Sequence, residues 1–195
     1  MRLTLAAVLF SASTALAPLS PALALDIGHT WLPEKLRLVS DGTELQLNGA
    51  GLRTRFRVEI YVIGLYLPEK RKTEAEVLAH AGAKRIRIVM LRDVTAKQMT
   101  DSLLGVMHKN NGKAELAAIQ AGIDEFQAML LALNPVPKGT VYDIDYSPRS
   151  GARLAVNGIP KGKPIAGEAF YRAVLRIWIG DKPEQPGLKQ ALLGR

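Results

Sequence analysis

The sequence predicts an α+β fold: an antiparallel sheet covered on one face by helices. Three observations carry this. Apolar residues alternate with period two in the first third of the chain and again after residue 140. Helical spacing appears only in the middle and near the end. Strands outnumber crossovers, so most neighbours must be joined by turns.

Taken in order, Leu36 to Ser40, then Asp41-Gly42, then Thr43 to Leu47 reads as a hairpin, because Asp-Gly tolerates the positive φ of a tight turn. From Thr54 to Leu67 the alternation predicts one strand, with Phe56, Val58, Ile60 and Val62 on one face and Arg55, Arg57, Glu59 and Tyr61 on the other. Thr73 and Glu76 form a capping box for a short helix to Ala81. Lys84–Leu91 returns to strand. Thr95 caps a helix to about Lys109, with Met99, Leu103, Val106 and Met107 on one stripe. Asn111-Gly112 ends it. Lys113–Leu133 is expected as the longest helix, stopped by Asn134-Pro-Val-Pro137. Thr140–Tyr146 and Arg153–Val156 form a hairpin closed by Ser150-Gly151, Gly167–Ile179 is a helix, and a short helix from about Gly187 completes the domain.

The first 24 residues do not belong to this fold. Met1-Arg2, the apolar run Leu3–Phe10 and Ala22-Leu-Ala24 read as a cleavable signal peptide, predicting a periplasmic or secreted domain over residues 25–195. The apolar run is too short for a membrane span of about 20 residues, and Pro18 and Pro21 interrupt the segment. The chain's 195 residues contain no cysteine, which excludes disulfides, thiolate catalysis and cysteine-ligated metals. Its 26 basic and 18 acidic residues give a net charge of +8; removing Arg2 lowers this to +7. In an exported protein this charge argues against a nucleic-acid partner. It fits a solvated basic surface and leaves open peripheral contact with an anionic membrane.

The most informative stretch is Asn48–Glu59 leading into Ile60–Leu67: a glycine-rich segment, read as a turn, with three arginines before an apolar strand bearing two tyrosines. Cations at the edge of an apolar strand call for an anionic partner, so the run points to a pocket for an acidic or carbonyl-bearing ligand. Gly49-Ala-Gly-Leu-Arg53 with Tyr61-Val-Ile-Gly-Leu-Tyr-Leu67 resembles the chalcone isomerase-like family, in particular its exported bacterial members. Ala173–Gly180 and Leu188–Gly194 extend the resemblance over roughly residues 36–194. It implies an open-faced sandwich with a ligand cleft between sheet and helices.

The resemblance also implies site residues. Arg53 matches an arginine that points into the cleft. Tyr61 matches the tyrosine of fatty-acid-binding relatives, which hold a carboxylate with this pair; plant isomerases have threonine there. Of the other residues used by the enzymes, the lysine persists as Lys97, whereas Val94, Asp101, Ile177 and Trp178 replace a tyrosine, an asparagine, a threonine and its neighbour. Lys97 and Asp101, four apart on a helix, also have the spacing of a surface ion pair. Losing the hydroxyls that would stabilise an enolate favours binding over catalysis, with Arg53, Tyr61, Lys97, Asp101, Ile177 and Trp178 as candidate ligand-binding residues. The alternatives are an isomerase or lyase acting on an enone through Arg53 and Lys97, or a partner-docking protein whose cleft is filled from within.

One spacing conflicts with the pair. Eight residues of unbroken strand span about 26 Å, so either the chain bends between Arg53 and Tyr61 or Arg55 or Arg57 is the partner; a bend near Thr54–Phe56 is expected, although the clean alternation argues against it.

The remaining motifs predict little chemistry. His29, His80 and His108 lack metal-ligand spacing, and neither a metal nor a cofactor is expected. Gly158–Lys163 lacks the phosphate-loop pattern and reads as a turn before the next helix. Alternation puts Asp143 and Asp145 on one solvent-facing side, and Trp31 reads as a packing plug.

Overall fold

The computed structural model describes residues 24–195; residues 1–23, nearly all of the expected signal peptide, lie outside the described residues. Strands β1 (Ala24–Ile27) and β2 (Thr30–Pro33) form a hairpin of their own. Then come β3 (Lys35–Arg37), β4 (Glu44–Arg55), β5 (Val58–Leu67), α1 (Glu74–Ala79), β6 (Lys84–Met90), α2 (Ala96–Asn110), α3 (Lys113–Ala118) and α4 (Gln120–Leu131). The chain finishes with β7 (Val141–Ser147), β8 (Gly151–Val156), β9 (Ile159–Ile165), α5 (Glu168–Ile179) and α6 (Pro186–Leu192). Strands β3 to β9 make one seven-stranded sheet in sequence order, antiparallel at every pairing.

One face of this curled sheet carries the helices, as the alternation predicts. Ile63, Leu65, Ile86, Ile88 and Ile144 pack there against Phe126 of α4 and Phe170, Val174 and Trp178 of α5. Each such side chain fully removed from water contributes roughly 1.5–3 kcal/mol. The opposite face is partly closed by the β1–β2 hairpin, where Leu32 joins Leu45, Leu47, Val62 and Tyr66. The predicted capping box forms at Thr73, and Thr95 caps α2 as expected, with Gln98 completing a second box.

Several sequence expectations are corrected. The expected strand 54–67 is a hairpin: Phe56 and Arg57 have φ of 51° and 64°, and β4 returns as β5. Phe56, placed by alternation on an apolar face, is 88% exposed. Gly49-Ala50-Gly51 lies inside β4 rather than in a turn, next to a bulge between Leu47 and Gly49. The expected helix 113–133 breaks at Ile119 (φ −116°, ψ 12°) into α3 and α4, with neither glycine nor proline at the break.

Gly158–Lys163 belongs mostly to β9, an edge strand, where Pro160 and Pro164 cost no ladder partner on the open side. Asp143 and Asp145 do share a side, but they are buried. Arg85 and Arg87 on β6 pair with Asp145 and Asp143 as cross-strand neighbours, each pair bidentate at 2.5–2.8 Å. Trp31 is 69% exposed rather than a plug.

Candidate functional site

The β4–β5 turn brings Arg53 opposite Tyr61: the two are register partners, so their side chains leave the same face of the ladder. Immediately beyond them the register shifts, Thr54 pairing with Glu59, which leaves Ile60 as an extra residue on β5. Such a bulge re-aims neighbouring side chains, and Ile60 and Tyr61, adjacent in sequence, both line one cleft.

That cleft has a volume of about 290 Å³. Its walls come from four places. Arg53 and Arg55 stand on β4, and Ile60 and Tyr61 on β5. Arg92, Asp93 and Val94 follow β6, and Gln98, Met99, Ser102 and Leu103 project from α2. Glu184, from the α5–α6 connection, closes one end. The apolar wall is thus helix α2 with Ile60 and Val94, while three arginines face two carboxylates on the remainder.

Arg53 Nη2 donates to Glu184 Oε1 at 2.7 Å, and both side chains are largely buried, 14% and 6% exposed. Arg53 Nη1 donates to the Thr54 carbonyl oxygen and, at 3.4 Å, to Gln185 Oε1. Gln185 Oε1 also accepts from the Thr54 amide at 3.0 Å. Ser102 Oγ donates to the Glu184 oxygen that Arg53 already holds, at 3.0 Å; Glu184 Oε2 is buried without a partner. The connection carrying Glu184 is itself fixed. Its amide donates to the Ile177 carbonyl, and the Asn110 side chain brackets Lys182 through both amide groups.

Tyr61 accepts a hydrogen bond from Trp178 Nε1 at 2.9 Å, leaving its own hydroxyl hydrogen to donate. Burial first, and then the Glu184 charge, push its phenol far above the ordinary tyrosine value. It is therefore a neutral donor at any physiological pH, suited to an anionic oxygen.

The other expected site residues lie elsewhere. Lys97 and Asp101 pair with each other at 2.6 Å on the exposed side of α2; neither lines this cleft, but Asp101 lines an adjoining groove that shares Arg53, Arg55, Ser102 and Glu184 with it. Ile177 and Trp178 are fully buried in the core; Trp178 reaches the site only through its bond to Tyr61. Sequence reasoning missed Glu184, Ser102 and Arg92. Glu184 had no visible signal, because it lies 131 residues from Arg53 in a short connection. Ser102 had one: it lies three residues after Met99 and one before Leu103, beside the apolar stripe of α2.

A curled antiparallel sheet with helices on one face and a cleft between them defines the class: an α+β protein of open-faced sandwich type. The model of the family described as chalcone isomerase-like matches residues 24–194, and the chain belongs to that family. Among solved structures, the chain is similar to a fatty-acid binding protein from Arabidopsis thaliana, with a TM-score of 0.56. The similarity covers 82% of this chain and 96% of that one at 14% identity, a likeness of fold. No curated protein sequence matches significantly.

Proposed function

We propose that this protein binds a fatty acid or similar apolar carboxylate in the cleft between α2 and the β4–β5 hairpin, and that it binds rather than catalyses. The observation that carries this reading is that Arg53 and Tyr61, partners across the ladder, line one cleft together with Met99, Leu103 and Val94. A guanidinium and a neutral phenol together match a carboxylate, with charge-assisted bonds of roughly 1.5–3 kcal/mol each. The fatty-acid binding relative of the same fold adds support.

The volume refines the ligand. At about 290 Å³, the cleft lies at the lower limit of small-molecule sites, which run from about 300 to 1,000 Å³. It suits a short or medium chain, or the head and first carbons of a longer one. The head group enters a site where Arg53 already has Glu184, so it either displaces that carboxylate or is shared among Arg53, Arg55 and Arg92.

Native mass spectrometry with lipid extraction, on protein purified from its own host, tests the reading. Co-purifying carboxylic acid, or binding of added acid below millimolar concentration, is the expected result; neither occurring refutes it. The reading also places the protein outside the cytoplasm, on the strength of residues 1–24, and N-terminal sequencing of the mature protein tests that: an intact Met1 contradicts it.

A further inference from the structure

Among the described residues, three hairpins turn on two residues with positive φ at both positions, the pattern that matches strand twist and that glycine and asparagine tolerate. Asn157-Gly158 has both such residues, and Gly28-His29 has one, with histidine as the second. The third, β4–β5, has Phe56-Arg57 at 51° and 64°. A bulky residue in this region is strained, and Phe56 recovers little by packing, since it is 88% exposed and meets the Arg55 guanidinium 5.4 Å from its ring centroid. Val58, next along, is 41% exposed. The fold therefore gives no reason for phenylalanine at this tip.

We infer that the β4–β5 tip, Arg55-Phe56-Arg57-Val58, is a membrane-contact element that places Phe56 among the lipids of an anionic bilayer. Charge complementarity favours this partner. Arg55 and Arg57 flank the ring and Arg92 lies on the adjoining connection beside the same cleft, against the acids Glu59 on β5 and Asp93 next to Arg92. The chain's net charge is +8. Each arginine near an anionic lipid surface strengthens binding roughly fivefold. A convex tip of four residues is also too small for a protein partner, which needs about 800 Å² from each side. An aromatic ring with basic flanks needs only to enter the headgroup layer. The tip borders the cleft mouth, because Arg55 belongs to both. The contact stands whether or not the cleft takes a fatty acid.

Flotation of the whole protein with vesicles of mixed phosphatidylcholine and phosphatidylglycerol, against phosphatidylcholine alone, tests it. Phe56→Asn provides the control: asparagine suits this backbone, so the variant melts no lower than wild type while losing the ring. Expected are binding to the mixed vesicles alone, a loss of roughly tenfold in Phe56→Asn, and a further loss in Phe56→Asn/Arg57→Gly. No vesicle binding, equal binding to neutral vesicles, or unchanged binding by Phe56→Asn each overturns the inference.

Discussion

Arg53 and Tyr61 face each other across the β4–β5 ladder, and each is held by a residue from the α5 end of the chain: Arg53 by Glu184, Tyr61 by Trp178. The cation and the phenol are thus fixed before any ligand arrives. A preorganised site avoids the cost of ordering side chains on binding.

The Arg53–Glu184 pair has an energetic consequence. Removing one partner of a mostly buried pair strands the other charge, at about 3–5 kcal/mol. Arg53→Met should lose this much stability in urea denaturation, and Arg53→Met/Glu184→Met should regain most of it.

Glu184 is also an internal competitor for the guanidinium. Glu184→Gln keeps the shape and removes the charge, so carboxylate affinity should rise about tenfold. Titration of a medium-chain acid into both proteins measures this; equal or weaker binding by the variant shows that Arg53 is not the anion's partner.

Tyr61→Phe leaves the Trp178 indole N–H without its acceptor in the core. The expected loss is about 1–3 kcal/mol. Trp31, the chain's other tryptophan, is exposed, so a shift in buried-indole fluorescence reports on Trp178.

Alkaline stability follows from the tyrosines. Burial raises the phenols of Tyr66 and Tyr142 to about 12 and pushes those of Tyr61 and Tyr171 well above the ordinary tyrosine value. Between the unfolded value near 10 and these folded values, the unfolded chain has released protons that the native one keeps. Stability therefore falls as pH rises, by up to about 1.4 kcal/mol per pH unit for each tyrosine. It is present in full below pH 10. Denaturation midpoints from pH 9 to 12 check this; a flat profile contradicts it.

Two glycines of β4 separate backbone from side-chain crowding. A methyl group at Gly49 would overlap the carbonyl oxygen of Ala191 and lie 2.7 Å from that of Leu192, both backbone of the α6 end. At Gly51 the nearest atom is the flexible Leu188 Cδ1, at 2.7 Å. Gly49→Ala should cost about 3 kcal/mol or more and Gly51→Ala about 1, as thermal melts would show.

These glycines illustrate which features the sequence made legible. Strand alternation, capping boxes and turn pairs are local, and they placed the helices, most strands and the layered arrangement. The β4–β5 turn was legible only through the resemblance, which called for a bend near Thr54–Phe56, because neither Phe56 nor Arg57 is a turn former and the alternation continues through them unbroken. Gly49-Ala-Gly51 drew attention as a motif, but its purpose, the approach of α6, depends on residues 140 positions away. The site divided in the same way. Arg53 and Tyr61 came from a motif. Glu184 came only from the tertiary path that returns α5 to β4, and buried Asp143 and Asp145 read as surface because their arginines lie on another strand.

In the proposed function, this cleft holds a carboxylate by its head and an apolar tail against α2. Isothermal titration of decanoate and its methyl ester into wild type and Met99→Trp, which fills the cleft, tests it most directly. The account predicts that wild type binds the acid below millimolar concentration, binds the ester at least tenfold more weakly, and loses the acid in Met99→Trp. Equal affinity for acid and ester, or unchanged binding in the filled variant, would contradict it.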